Sequence, residues 1–177
     1  MTRFLAILLL IGLLAGCAGN TQTSNRLDNT EAAALYEAAS EAAGRNDWQT
    51  AISELESLQA QYPFGLYATQ AQLDIIHAYY QAGEVASTVA AAERFRRINP
   101  RHRAVPYSWY MQGLALEEKN RGPVKDWVGI NDVLRDPVPR RQAFAAYTTL
   151  VEDYPDSEYT DMARGRLDVL YAEGAAF

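Results

Sequence analysis

Apolar positions along this chain recur with the spacing of a helix, and one stripe of them recurs at a fixed distance from a proline. Twelve, eight and five residues before Pro63 stand Ala51, Leu55 and Leu58; before Pro100 stand Thr88, Ala92 and Phe95; before Pro155 stand Ala143, Tyr147 and Leu150. Offsets of four and three keep side chains on one face of a helix. The pattern therefore predicts amphipathic helices that each bury an equivalent stripe and stop at a proline. The turn ahead of the stripe repeats as well, with Asn46-Asp47-Trp48 and Gly83-Glu84-Val85 equally far before their prolines. Between Pro63 and Pro100 the unit is complete: an apolar helix over 68–81, a turn at Gly83, and an alanine-rich second helix ending on Asn99-Pro100. Equivalent helices are predicted over 31–44, from an Asp47 cap to about residue 61, over 107–120, from Asp136-Pro137 through the third stripe, and over 158–172.

A generic helical bundle has no reason to keep stripe, turn and proline together. The unit resembles the tetratricopeptide repeat, a helix-turn-helix motif with a period of about 34 residues. Tyr79 and Trp109 stand where such repeats place aromatic packing residues, and Gly113 where they place a small one. The resemblance implies an all-α fold, a right-handed superhelix or α-solenoid of about three repeats plus one extra helix. The repeats are expected over 31–65, 66–103 and 104–156, with a half repeat over 157–173, in a domain spanning 31–177. Pro63 to Pro100 is 37 residues but Pro100 to Pro155 is 55, so an insert occupies about 120–135. It carries Gly122-Pro123, Gly129 and the apolar Trp127, Val128 and Ile130, and such insertions on regular scaffolds are often functional. Trp127 either faces a partner or folds back on the solenoid. In the last helix, Leu167, Val169 and Leu170 stay partly uncovered unless that helix caps the stack or more protein covers it.

Ahead of the repeats, one cation, Arg3, precedes an apolar run over 4–16. Thirteen residues at about 1.5 Å each cannot cross a hydrocarbon core of roughly 30 Å, so residues 1–16 read as a signal peptide. Leu14-Ala15-Gly16-Cys17 is similar to the bacterial lipobox, which makes Cys17 the expected lipidation site and first mature residue. Cys17 is the only cysteine and has no disulfide partner. Ala18 is not the aspartate that favours inner-membrane retention, so the expected location is the outer membrane, lipid-anchored at its periplasmic face. Residues 17–30 form the lipidated segment, and the polar, aperiodic stretch over 18–30 reads as a flexible tether with a span of about 20 Å.

Charge narrows the partners. The chain carries −6, with 16 Lys and Arg against 22 Asp and Glu, and lacks a dense basic run, which argues against nucleic acid and against an anionic lipid surface. Arg94, Arg96, Arg97, Arg101 and Arg103 cluster near one helix end, either as a solvated group compensating the helix dipole or as a docking patch for an acidic partner. The two histidines, His77 and His102, have no metal-ligand spacing, and neither an HExxH nor a GxSxG motif nor a phosphate-cradling glycine loop occurs. The sequence thus predicts no enzyme, no metal and no cofactor.

In tetratricopeptide solenoids the first helix of each repeat lines the inner groove. That register presents Tyr36, Gln70, Leu73, His77, Tyr80, Gln81, Tyr107 and Tyr110 as groove residues, some of which serve packing between repeats. Aromatic faces, hydroxyls and amides suit an extended peptide. A more specific resemblance is carried by Cys17, the run Tyr62-Pro63-Phe64-Gly65 with Tyr67, the segment over 70–80, Arg94-Phe95, Asn99-Pro100 with His102, Tyr110-Met111 with Gly113-Leu114, Arg135-Asp136-Pro137, Ala143-Phe144 and Tyr154-Pro155. On these residues the chain resembles the BamD/ComL family, lipoproteins of the β-barrel assembly machinery of Gram-negative bacteria. The resemblance implies a periplasmic scaffold working with BamA, with accessory Bam lipoproteins and with unfolded outer-membrane protein clients. It carries over the matched positions Tyr62, Phe64, Gly65, Tyr67 and Asp74 as peptide- or partner-binding positions, several of which are expected to shape the groove rather than touch a ligand. Members of that family have about five repeats, whereas this sequence ends in the fourth, which leaves direct BamA binding open. The alternative reading is an envelope scaffold that coordinates peptidoglycan synthesis or cell division.

Overall fold

The computed structural model describes residues 21–118 and 137–172, with side chains described over 29–118 and 138–172. Cys17, the expected signal peptide and the expected insert with Trp127 lie outside these residues. The described chain is helical throughout: α1 (Thr21–Gly44), α2 (Trp48–Gln61), α3 (Ala68–Gln81), α4 (Val85–Ile98), α5 (Val105–Glu118), α6 (Pro137–Asp153) and α7 (Thr160–Ala172). Each helix packs on the next, and α3 also touches α5, the helix at the same place in the following pair. The result is a stack of antiparallel helix pairs, an all-α solenoid.

The proline stripes form its core. All nine predicted positions are 3% exposed or less, and seven of them, all but Ala51 and Thr88, belong to two apolar clusters along the stack. The prolines set the turns between pairs. A residue before proline is disfavoured in the helical region, and Tyr62 and Asn99 leave it with φ near −125° (−127° and −123°). Each still donates its N–H back into the helix it closes, Tyr62 to Leu58, Asn99 to Phe95 and Tyr154 to Leu150. Beyond the proline the same two backbone bonds are made in all three turns: Gly65 to Tyr62 and Ala68 to Gly65, His102 to Asn99 and Val105 to His102, Ser157 to Tyr154 and Thr160 to Ser157. The turns within pairs use left-handed residues, Asn46 at φ 58° and Gly83 at φ 73°. Asp47 caps α2 by accepting the Thr50 N–H at 3.2 Å, and hydrogen bonding from the Thr50 side chain and then its N–H lowers the Asp47 carboxyl pKa below the ordinary value.

Three expectations are corrected here. Helix α1 begins at Thr21, ten residues before the predicted start at residue 31, so most of the stretch expected to be a flexible tether is helical. Neither proline nor glycine interrupts residues 20–43, and nothing in the backbone stops a helix there. The arginine cluster is not one surface feature: Arg96 lies 3.6 Å over the Trp109 ring and donates to Ser108 and Gln112, tying α4 to α5, and burial lowers its pKa to about 10. Arg94 reaches α2, donating to Gln59 at 2.8 Å. In the last helix Leu170 is buried, against the expectation, while Val169 is exposed and Leu167 half-buried, in line with it.

Candidate functional site

The first helices of successive pairs, α1, α3, α5 and α7, share one side of the stack, and two cavities open along it. The larger is a cleft of about 1050 Å³ bounded by Leu66, Gln70, Leu73 and Asp74 from α3 and its approach, by Tyr107 and the 102–106 turn, and by residues 153–159. The smaller, about 360 Å³, is enclosed by Tyr36, Trp48, Leu55, His77 and Tyr107 over an alanine floor. Asp74 and Tyr107 border both cavities and therefore stand where they meet.

Asp74 is fixed in place. Tyr36 donates its hydroxyl to Oδ2 at 2.8 Å, and Gln70 donates from Nε2 to Oδ1 at 2.8 Å. The Tyr36 ring is itself held by stacking on Tyr67, with ring centres 5.0 Å apart and planes inclined by 24°. Burial and the Asp74 carboxylate push the Tyr36 phenol pKa up to about 12, so it remains a donor. His77 packs edge-on to Trp48 at 5.7 Å. Tyr107, whose phenol pKa burial also raises, lies 5.5 Å from the Tyr159 ring across the cleft.

The predicted site residues thus separate into groups. Tyr36, Gln70, Asp74, His77 and Tyr107 line the cavities, with Tyr67 supporting Tyr36. Tyr110 is packed between the rings of Tyr147 and Tyr159, at 6.1 and 5.7 Å. Tyr80 donates to Glu118 and borders neither cavity. Tyr62 donates to Glu31 at the turn between the first two pairs, and Phe64 stands 98% exposed and lines neither cavity.

Sequence reasoning missed Trp48 and Tyr159. Tyr159 stands four residues after Pro155, as Tyr67 stands four after Pro63, so the proline register could have found it. Trp48 starts a second helix, and the assumption that first helices alone line the groove excluded it. Among the described residues, no three His, Cys, Asp or Glu side chains converge as a metal site requires, and no helix is long and apolar enough to cross a membrane.

Comparison with known proteins places this geometry among relatives. The family model described as tetratricopeptide repeat matches residues 22–167. The chain is similar to the outer membrane protein assembly factor BamD of Vibrio cholerae, 37% identical over 163 residues that cover 92% of this chain and 66% of that protein. It is 33% identical over 138 residues to the protein of the same name from Neisseria gonorrhoeae, covering 75% of this chain and 50% of that one. For the counterpart from Xylella fastidiosa the identity is 29% over 158 residues, covering 89% and 54%. The chain spans between half and about two thirds of the length of these relatives.

Proposed function

Because the chain belongs to the tetratricopeptide-repeat family and, within it, to the BamD family, we propose that it is a non-enzymatic scaffold of outer-membrane β-barrel protein assembly. In this reading a lipid on Cys17 holds it at the periplasmic face of the outer membrane. There it works with BamA and accessory Bam lipoproteins, and its groove binds extended segments of unfolded outer-membrane proteins. The carrying observation is the cleft of about 1050 Å³ along the first helices, bordered by Gln70, Asp74, Tyr107 and Tyr159. An extended peptide needs partners for its backbone and cover for its side chains. Amide and carboxylate groups supply the first, and aromatic faces supply the second. The rigid setting of Asp74 by Tyr36 and Gln70 means that little side-chain freedom is lost on binding.

Depleting the protein in its own host tests this reading. Assembled barrel proteins in the outer membrane, followed by their heat-modifiable gel mobility, are expected to fall. Unchanged barrel-protein levels, together with accumulation of the protein at the division septum, would overturn the proposal in favour of a scaffold for peptidoglycan synthesis or cell division.

A further inference from the structure

The side pocket beside Asp74 is selective in a way the open cleft is not. At about 360 Å³ it lies at the small end of ligand sites. Its walls are the rings of Tyr36, Trp48, His77 and Tyr107 with Leu55, its floor is alanine, and Asp74 stands where it joins the cleft. Each carboxylate oxygen has two lone pairs. Tyr36 occupies one on Oδ2 and Gln70 one on Oδ1, which leaves one free on each oxygen. Two free acceptor sites on one rigid carboxylate match the parallel N–H groups of a guanidinium.

The walls select the same group. A guanidinium is planar, stacks on aromatic faces and is weakly hydrated, whereas an ammonium is compact and strongly hydrated. An apolar side chain would cover Asp74 without satisfying it, which costs free energy. The molecule already makes such an arrangement internally, where Arg96 lies 3.6 Å over the Trp109 ring and donates to Gln112. Charge in the adjoining cleft points the same way: Asp74, Asp153, Asp156 and Glu158 border it against a single guanidinium, that of Arg103. We propose that this pocket receives an arginine side chain from an extended polypeptide lying in the cleft, with the guanidinium stacked on the rings and paired with Asp74. The inference rests on the reading of the cleft as a peptide groove and names what that groove selects.

The test uses the purified full chain in detergent micelles and fluorescein-labelled Ser/Thr-rich peptides identical except for a central Arg, Gln, Lys or Phe. Binding is read by fluorescence anisotropy. The Arg peptide is expected to bind about tenfold more tightly than the Gln peptide, with Lys between them, and Asp74→Asn is expected to abolish the difference. Equal binding of Arg and Gln peptides, tightest binding of the Phe peptide, or an Arg preference that survives in correctly folded Asp74→Asn would overturn the arginine assignment and leave the peptide groove standing. No binding of any peptide to the wild-type chain would overturn both. The peptide series on the wild-type chain decides the matter even where the variant fails to fold.

Discussion

At the scale of single residues, Gly113 shows how closely the helix pairs approach. A methyl group added there would lie no more than 2.8 Å from three atoms of the Tyr147 ring, which is fully buried and has no room to withdraw. Gly113→Ala is therefore expected to cost about 1–3 kcal/mol, the usual range for overpacking a closed core, and to lower the melting temperature. A melting curve that matches the wild type would contradict this packing. The sequence marked Gly113 as a small packing residue and Tyr147 as a stripe residue, but not that they meet, because their helices are separated by the irregularly spaced part of the chain. Phe64 teaches the opposite lesson. Resemblance identified it as a residue of interest, yet no periodicity governs a turn, and only the fold shows that it points into solvent.

At the scale of elements, α7 is the last described helix and packs on α6. Val169, Tyr171 and Met162 are exposed on it, so burial alone anchors it weakly. A polar anchor compensates. Arg166 donates to the buried Glu117 of α5 at 3.2 Å, and Tyr147 of α6 donates to the same carboxylate at 3.0 Å. Removing the cation leaves a carboxylate that is 4% exposed with one partner fewer. Arg166 is itself partly exposed, so water recovers part of the loss, and Arg166→Ala is expected to destabilise the chain by about 1–3 kcal/mol. Hydrogen exchange should then speed up in α7 before it does in α1 to α4; uniform change along the chain would contradict a local anchor. Helix existence was legible in the stripes, since each stripe is three-dimensional information written in one dimension. The start of α1 was not, because a polar stretch without periodicity says nothing about a helix that no breaker forbids.

At the scale of the whole molecule, repetition makes the architecture legible and hides the site. Equivalent turns stack equivalent helices, so the first helices share one side of the stack, and the resemblance to tetratricopeptide repeats predicted that side as the groove. What it could not predict is where the groove deepens. The two cavities depend on Trp48 from a second helix and on Tyr159 at the head of α7, which converge with Tyr107 only after three pairs have stacked. We propose that this groove, and not the outer face of the stack, contacts clients during outer-membrane assembly. It is tested most directly by placing a photo-crosslinking residue at Thr69, which lines the cleft, and separately at Ser53, which is exposed on α2, in the protein in its own host. Adducts with unfolded barrel proteins are expected from position 69 and not from position 53. Equal adducts from both positions, or adducts from position 69 that contain no barrel protein, would contradict it.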